Sequence, residues 1–175
     1  MILPDIGFVL ELGSGSYSTP CFLDRLIYPD LDCLLSIEEH ATWADLLKRA
    51  SQDEPRLVWT KCDHGGTAQA LREEIEAIDK GQARGRPDLV FVDDSDNPTA
   101  RVTTLGVVAE LFKGSRTMVI VHDADYPEYK AQIDQWDNVY LFDVQTPNTA
   151  LMWSGPRNFK PQLDRLRELI RECVS

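Results

Sequence analysis

What the chain lacks narrows its class first. No apolar run among its 175 residues approaches the roughly 20 needed to span a bilayer. The N-terminus has neither the basic segment nor the long apolar stretch of a signal peptide. A cytoplasmic protein with no membrane partner is the expectation. Cysteine is scarce: Cys21, Cys33, Cys62 and Cys173 are widely scattered with no CxxC pair. That points to neither a zinc site nor a disulfide framework and leaves reduced thiols in buried or packing roles. Basic residues are outnumbered, 18 Lys and Arg against 29 Asp and Glu, for a formal charge of −11. A sequence-independent grip on phosphate backbones rests on clustered Lys and Arg, so no nucleic-acid partner is expected. The one short basic patch, Lys80 to Arg86 (KGQARGR), is interrupted by glycines and precedes a strand, as a solvated loop does. Internal repeats, low-complexity tracts and interdomain linkers are also missing. The 43% hydrophobic and 27% charged fractions are those of a globular chain, and a single domain over 1–175 is expected.

What is present is a series of strand-length apolar runs: Phe8 to Leu12, Cys33 to Ile37, Leu57 to Trp59, Leu89 to Val92, Thr117 to Val121, Val139 to Phe142 and Ala150 to Trp153. Between the early runs lie segments of helical period, carried by Trp43, Leu46, Leu47 and Ala50, by Leu71, Ile75 and Ile78, and by Leu105, Val108, Ala109 and Phe112. Alternation of this kind means parallel pairing with helices on both faces. The fourth and fifth runs, LVFV and TMVIV, are continuously apolar and β-branched, as central strands buried on both faces are. After Phe142 only DVQTPNT separates two strands, too short for a crossover helix, so those two predict an antiparallel hairpin. Gln162 to Val174 sets Leu163, Leu166, Ile170 and Val174 on one stripe of an amphipathic helix. The expected fold is α/β: a seven-stranded, mostly parallel sheet with a C-terminal antiparallel hairpin and helices on both faces.

Directly after the first strand comes ELGSGSY, with Gly13 and Gly15 at the turn into a helix beginning near Tyr17. Glycine reaches φ > 0 cheaply, and a helix N-terminus offers unpaired N–H groups to a polar or anionic ligand. A plain strand-to-helix turn also uses one glycine. Glu38 closes the second strand, 23 positions beyond Gly15. A carboxylate there can accept from both ribose hydroxyls, the logic of the acidic residue about 20 positions after a dinucleotide glycine loop. Alternatively Glu38 and Glu39 simply open the next helix, where acids suit the macrodipole. The densest chemistry lies at the ends of the fourth and fifth strands: Asp93, Asp94 and Asp96 in FVDDSD, and His122, Asp123, Asp125 and Tyr126 in IVHDADY. In open α/β sheets ligands sit outside the carboxyl ends of the strands. Asp is also favoured at helix N-caps, and Asp96, just before Asn97 and Pro98, suits that role.

Alternating units closed by a hairpin, with ELGSG after the first strand, resemble the class I S-adenosylmethionine-dependent methyltransferases over nearly the whole chain. YST after the glycines, HDAD after the fifth strand and TPNTA in the hairpin look more like the small O-methyltransferase-like branch that includes plant polysaccharide methyltransferases. The resemblance implies a Rossmann-like fold and the cofactor S-adenosylmethionine. It also implies a transferase acting on a hydroxyl of a small molecule or sugar; a homo-oligomer is compatible with the sequence, which does not specify the oligomeric state. Glu11, Gly13 and Gly15 match the family's (E/D)xGxGxG turn, with Tyr17 in place of the third glycine. The loop Gly13, Ser14, Gly15 would hold the methionine portion, Glu38 the ribose and the Asp93 to Asp125 cluster the acceptor. In WTKCDHGG, where the family often contacts adenine, Asp63 can accept from the amino group, with His64 a lesser candidate. Trp43 reads as core more readily than as an adenine platform.

Two mechanisms fit that resemblance. His122 can act as general base toward an acceptor hydroxyl, histidine being the side chain whose ordinary pKa lies nearest neutrality. Or Asp93 and Asp123 can ligate Mg²⁺ or a similar divalent cation that orients and acidifies the acceptor oxygen. Metal-dependent O-methyltransferases place carboxylates after these two strands, but follow the second with an asparagine, and Ala124 stands there in this chain. Two other functions compete. A nicotinamide oxidoreductase also needs strand, glycine turn and ribose acid, yet GxGxxG requires glycine at Ser18. A methyltransferase-like binding or scaffold protein would need no catalysis, and the chain opens at its first strand with no evident substrate cap.

Overall fold

The computed structural model describes residues 6–81, 85–144 and 146–174. Its elements are β1 Phe8–Leu12, α1 Ser18–Leu23, β2 Cys33–Glu38, α2 Ala41–Asp53, β3 Leu57–Lys61, α3 Thr67–Asp79, β4 Leu89–Val92, α4 Pro98–Phe112, β5 Met118–Val121, a 3-10 turn Pro127–Tyr129 running into α5 Lys130–Ile133, β6 Asn138–Phe142, β7 Thr149–Trp153 and α6 Lys160–Val174. All seven expected strands form. They build one sheet in the order β3-β2-β1-β4-β5-β7-β6, parallel from β3 through β5. β7 runs antiparallel to both β5 and β6. The hairpin is therefore threaded so that its second strand, not its first, meets the parallel part of the sheet.

The period of two along each strand sends neighbours to opposite faces, and both faces are covered. Leu10, Leu12, Leu35, Ile37, Val90, Val92 and Val121 pack under Leu71 and Ile75 of α3 and Leu105, Val108 and Phe112 of α4. Val9, Leu34, Leu57, Leu89, Leu151 and Trp153 face the other way, onto Phe22 of α1, Leu47 of α2 and Leu163 of α6. Two-sided cover is why the central strands are apolar throughout. Each fully buried Leu or Val stabilises the fold by about 1.5–3 kcal/mol. α4 is largely buried because α3, the 3-10 turn and α5 pack around it, leaving a narrow exposed stripe of Thr99, Thr103 and Glu110.

Two expectations need correction or limits. Cys33 is buried and Cys62 half-buried, but Cys21 is exposed, since α1 is only six residues long and turns only Thr19 and Phe22 inward. Of the basic patch, Gln82, Ala83 and Arg84 lie outside the described residues, as does the side chain of Cys173. Arg86 pairs with Asp79 at 2.5 Å. Among the described residues no helix is long and apolar enough to cross a membrane. The strand order reverses between β1 and β4, leaving a crevice above their carboxyl ends.

Candidate functional site

The crevice begins at the glycine turn. Gly13 has φ +82°, and a Cβ there would lie 2.2 Å from the Asp93 carbonyl oxygen and 2.6 Å from Cα of Asp94. Glycine is thus required by the close approach of two strand ends as well as by the turn. The Gly13 N–H donates to the Ile37 carbonyl at 2.9 Å, which locks the turn to β2. Ser14 donates from its N–H and its hydroxyl to Oε2 of Glu38, at 2.7 and 2.6 Å. The His40 N–H donates to Oε1 of Glu38 at 2.6 Å. Glu38, only 3% exposed, ties the glycine turn to the head of α2.

Glu11 stands behind the turn and does not line the cavity, which corrects its placement as a cofactor contact. Glu11, in register with Ser36 of β2, turns its side chain to the face of the sheet that α1 covers. It is fully buried and accepts from the hydroxyls of Thr19 at 2.8 Å and Ser36 at 2.9 Å. Burial pushes its carboxyl up to about 7, against the opposing pull of its hydroxyl donors. Gly15 also stays outside the cavity, where a Cβ would lie 3.1 Å from the Ser18 hydroxyl.

Above the strand ends lies a cavity of about 410 Å³, within the usual range of small-ligand sites. Gly13, Ser14 and Glu38 form one wall, Glu39, His40, Trp43 and His64 the next, and 93–97 the third. Trp43 therefore belongs to the site and not to the core, because the first turn of α2 projects over the sheet's carboxyl edge. The carboxylate of Glu39 is buried, accepts from the Gly65 N–H at 2.6 Å and lies 3.2 Å from Nδ1 of His64. Asp63 is not brought to the cavity. It is exposed, and its carbonyl closes the turn by accepting from Gly66 at 2.8 Å, whereas the neighbouring His64 lines the cavity. Five carboxylates, those of Glu38, Glu39, Asp93, Asp94 and Asp96, line this cavity, with neither Lys nor Arg.

The third wall continues into the acidic cluster. Asp94 is 5% exposed, accepts from the Thr104 hydroxyl at 2.6 Å, and is pushed up to about 6 by burial. Burial also raises the Asp93 carboxyl, opposed by Arg101 and His122. Asp96 is not the N-cap of α4: the Asn97 side chain accepts from the Thr99 N–H at 3.0 Å and Pro98 opens the helix. Nδ1 of His122 lies 3.1 Å from Oδ1 of Asp123 and 3.6 Å from Oδ1 of Asp93. Asp123 is held at φ +57°, the left-handed region a short polar residue tolerates. Asp125 serves the hairpin instead, accepting from the Asn148 N–H at 3.2 Å, and Tyr126 packs on Tyr129 with ring centres 5.4 Å apart.

Sequence reasoning missed Arg101. Its side chain is 3% exposed and its guanidinium lies 3.0 Å from Asp93, 3.2 Å from Asp123 and 3.7 Å from Asp94. A signal was available: a cation in the first turn of a helix opposes the macrodipole, and three aspartates precede this one.

Arg101 also decides how the cluster suits a divalent cation. Ligand atoms of Asp93, His122 and Asp123 all lie within 4.8 Å of one another, a spacing compatible with an ion. Yet Oδ2 of Asp123 faces Arg101 and Oδ1 faces His122, while Oδ1 of Asp93 faces both. A divalent ion within a few ångström of the guanidinium would be repelled by several kcal/mol at an effective dielectric constant of about 20. The Asp123 carboxylate and Oδ1 of Asp93 already face Arg101 and His122, so the expected metal role of Asp93 and Asp123 would set the ion directly against a buried guanidinium.

No protein-family model and no curated protein sequence matches the chain. Solved structures do. Human methyltransferase-like protein 13, in complex with SAH, is similar with a TM-score of 0.59 and 17% identity over 95% of this chain and 81% of that one. The O-methyltransferase TomG from Streptomyces achromogenes, in complex with SAM, gives 0.54 and 17% over 86% and 74%. Aeropyrum pernix fibrillarin with bound S-adenosyl-L-methionine gives 0.55 and 14% over 86% and 66%. The fold is that of the class I S-adenosylmethionine-dependent methyltransferases. In this Rossmann-like methyltransferase fold the glycine turn, the end of β2 and the end of β4 face one cavity, and the acidic cluster flanks it.

Proposed function

We propose that the protein is an S-adenosylmethionine-dependent methyltransferase that methylates a hydroxyl of a small molecule or sugar. The observation that carries the reading is the charge of the cavity: five carboxylates and no Lys or Arg around a glycine turn. A dinucleotide would bring a pyrophosphate into that field, where like charges repel. A nucleoside carrying a sulfonium brings a positive charge and no phosphate. Gly13, Ser14 and Asp94 would hold the amino-acid portion, Glu38 the ribose, and Trp43 with His64 and Glu39 the base.

The bound cofactor supplies a methyl group already activated on sulfur. The chain has to position the acceptor and remove its proton. Asp93 belongs to both the cavity wall and the cluster, so an acceptor placed at the end of β4 also meets His122. His122 is 39% exposed on its side chain, and with Nδ1 turned to Asp123 its Nε2 is the base offered to a hydroxyl. Transfer of labelled methyl from the cofactor to a panel of sugars and phenols tests this. Wild type is expected to label a hydroxyl acceptor, with turnover falling by about 10²-fold or more in His122→Ala. Full turnover in that variant would remove His122 from the reaction.

One observation favours a binding or scaffold protein instead. Three protein donors already occupy Glu38, so a ribose has to share or displace them. A folded chain that binds neither S-adenosylmethionine nor NAD⁺ would support that second reading.

A further inference from the structure

We propose that Arg101 is the resident cation of the acceptor site, standing where a divalent ion would bridge Asp93 and Asp123, so that the site works without metal. This rests on the methyltransferase reading for its purpose but not for its test. The guanidinium comes from behind, out of the first turn of α4, beside the equally buried Asp94, and is far more buried than Asp93, His122 and Asp123. Its side chain is 3% exposed, against 36% for Asp93, 25% for Asp123 and 39% for His122. One terminal nitrogen reaches Asp93 and the other reaches Asp123. The second also lies 3.4 Å from the carbonyl oxygen of His122.

A planar fork presents two terminal nitrogens in fixed directions to two carboxylates at once, whereas a lysine ammonium is a single compact point charge without that fixed span. The consequence falls on His122. With Oδ2 of Asp123 engaged by Arg101, Oδ1 is left turned to Nδ1 of the imidazole. Arg101 is therefore a positioning residue that acts through Asp123. The face of the Tyr129 ring, 5.8 Å from the guanidinium carbon, limits the movement of the fork from the side of the 3-10 turn.

The test is Mn²⁺ binding to the full chain, followed by water-proton relaxation and by melting temperature, neither of which needs methyl transfer. Wild type and Arg101→Lys are expected to show no Mn²⁺ site up to about 1 mM, the weak end of useful divalent sites. Arg101→Gln removes the charge and should gain a Mn²⁺ site at least tenfold stronger, with Mn²⁺ raising its melting temperature. Wild-type Mn²⁺ binding that disappears in Asp123→Asn would overturn the proposal. So would a folded Arg101→Gln that gains no site, or an Arg101→Lys that binds Mn²⁺ as Arg101→Gln does. Should Arg101→Gln fail to fold, wild type against Asp123→Asn decides alone: indistinguishable relaxation supports the resident cation. Failure of the methyltransferase reading would show instead as absent cofactor binding with these results unchanged.

Discussion

Replacing Glu11 by Gln isolates the cost of an ionised carboxylate sealed behind the glycine turn. In the folded protein burial lifts this carboxyl from an ordinary 4.5 to about 7. At 1.36 kcal/mol per unit the difference is about 3 kcal/mol. Because the folded pKa is the higher one, the stabilising contribution of the protonated group is fully present below pH 4.5 and is lost as pH rises through about 7. Glutamine keeps the neutral shape at every pH. It must still accept from Thr19 or Ser36, and an imperfect match costs about 1 kcal/mol. Urea denaturation at pH 4.5 and pH 8 is the assay. Glu11→Gln should be slightly less stable than wild type at the lower pH and about 2 kcal/mol more stable at the higher, a change between the two of about 3 kcal/mol. Equal destabilisation at both pH values would mean that Glu11 stays charged in the fold, and the reasoning about its burial would fail.

Gly13→Ala places a Cβ 2.2 Å from a backbone carbonyl at φ +82° and should cost about 3 kcal/mol or more by thermal denaturation; an unchanged melting temperature would show that the turn relaxes freely. Glu38→Ala should weaken cofactor binding by roughly 1.5 to 3 kcal/mol, more than Glu39→Ala. Calorimetry giving the reverse order would move the ribose to Glu39. Trp43→Ala should weaken binding by about 1 kcal/mol or more with the fold intact, whereas Asp63→Ala, exposed and outside the cavity, should leave it unchanged. Fluorescence titration of both separates the two.

The strands were legible because burial on both faces writes itself as unbroken apolar runs, and β4 was read to the residue. The hairpin was legible from a connection too short to cross over. Side-chain direction at the strand ends was not. Glu11 matches a ligand motif yet turns to the face that α1 covers, and Asp63 sits in the right loop yet points to solvent. Trp43 looks like core by size, but its place at the head of α2 depends on how that helix overhangs β2. Arg101 is far from the cluster in sequence terms, 8 positions from Asp93 and 22 from Asp123. Only the parallel pairing of β4 with β5 brings those two carboxylates to either side of it.

The central claim is that the acidic cavity takes a sulfonium nucleoside and refuses a pyrophosphate. Isothermal calorimetry with S-adenosylmethionine, its demethylated product and NAD⁺ tests it most directly. Micromolar binding of the first, about 8 kcal/mol, is expected, with weaker binding of the product, which has lost the sulfonium charge, and none of NAD⁺. Binding of NAD⁺ in preference to S-adenosylmethionine, or of none of the three, would contradict it.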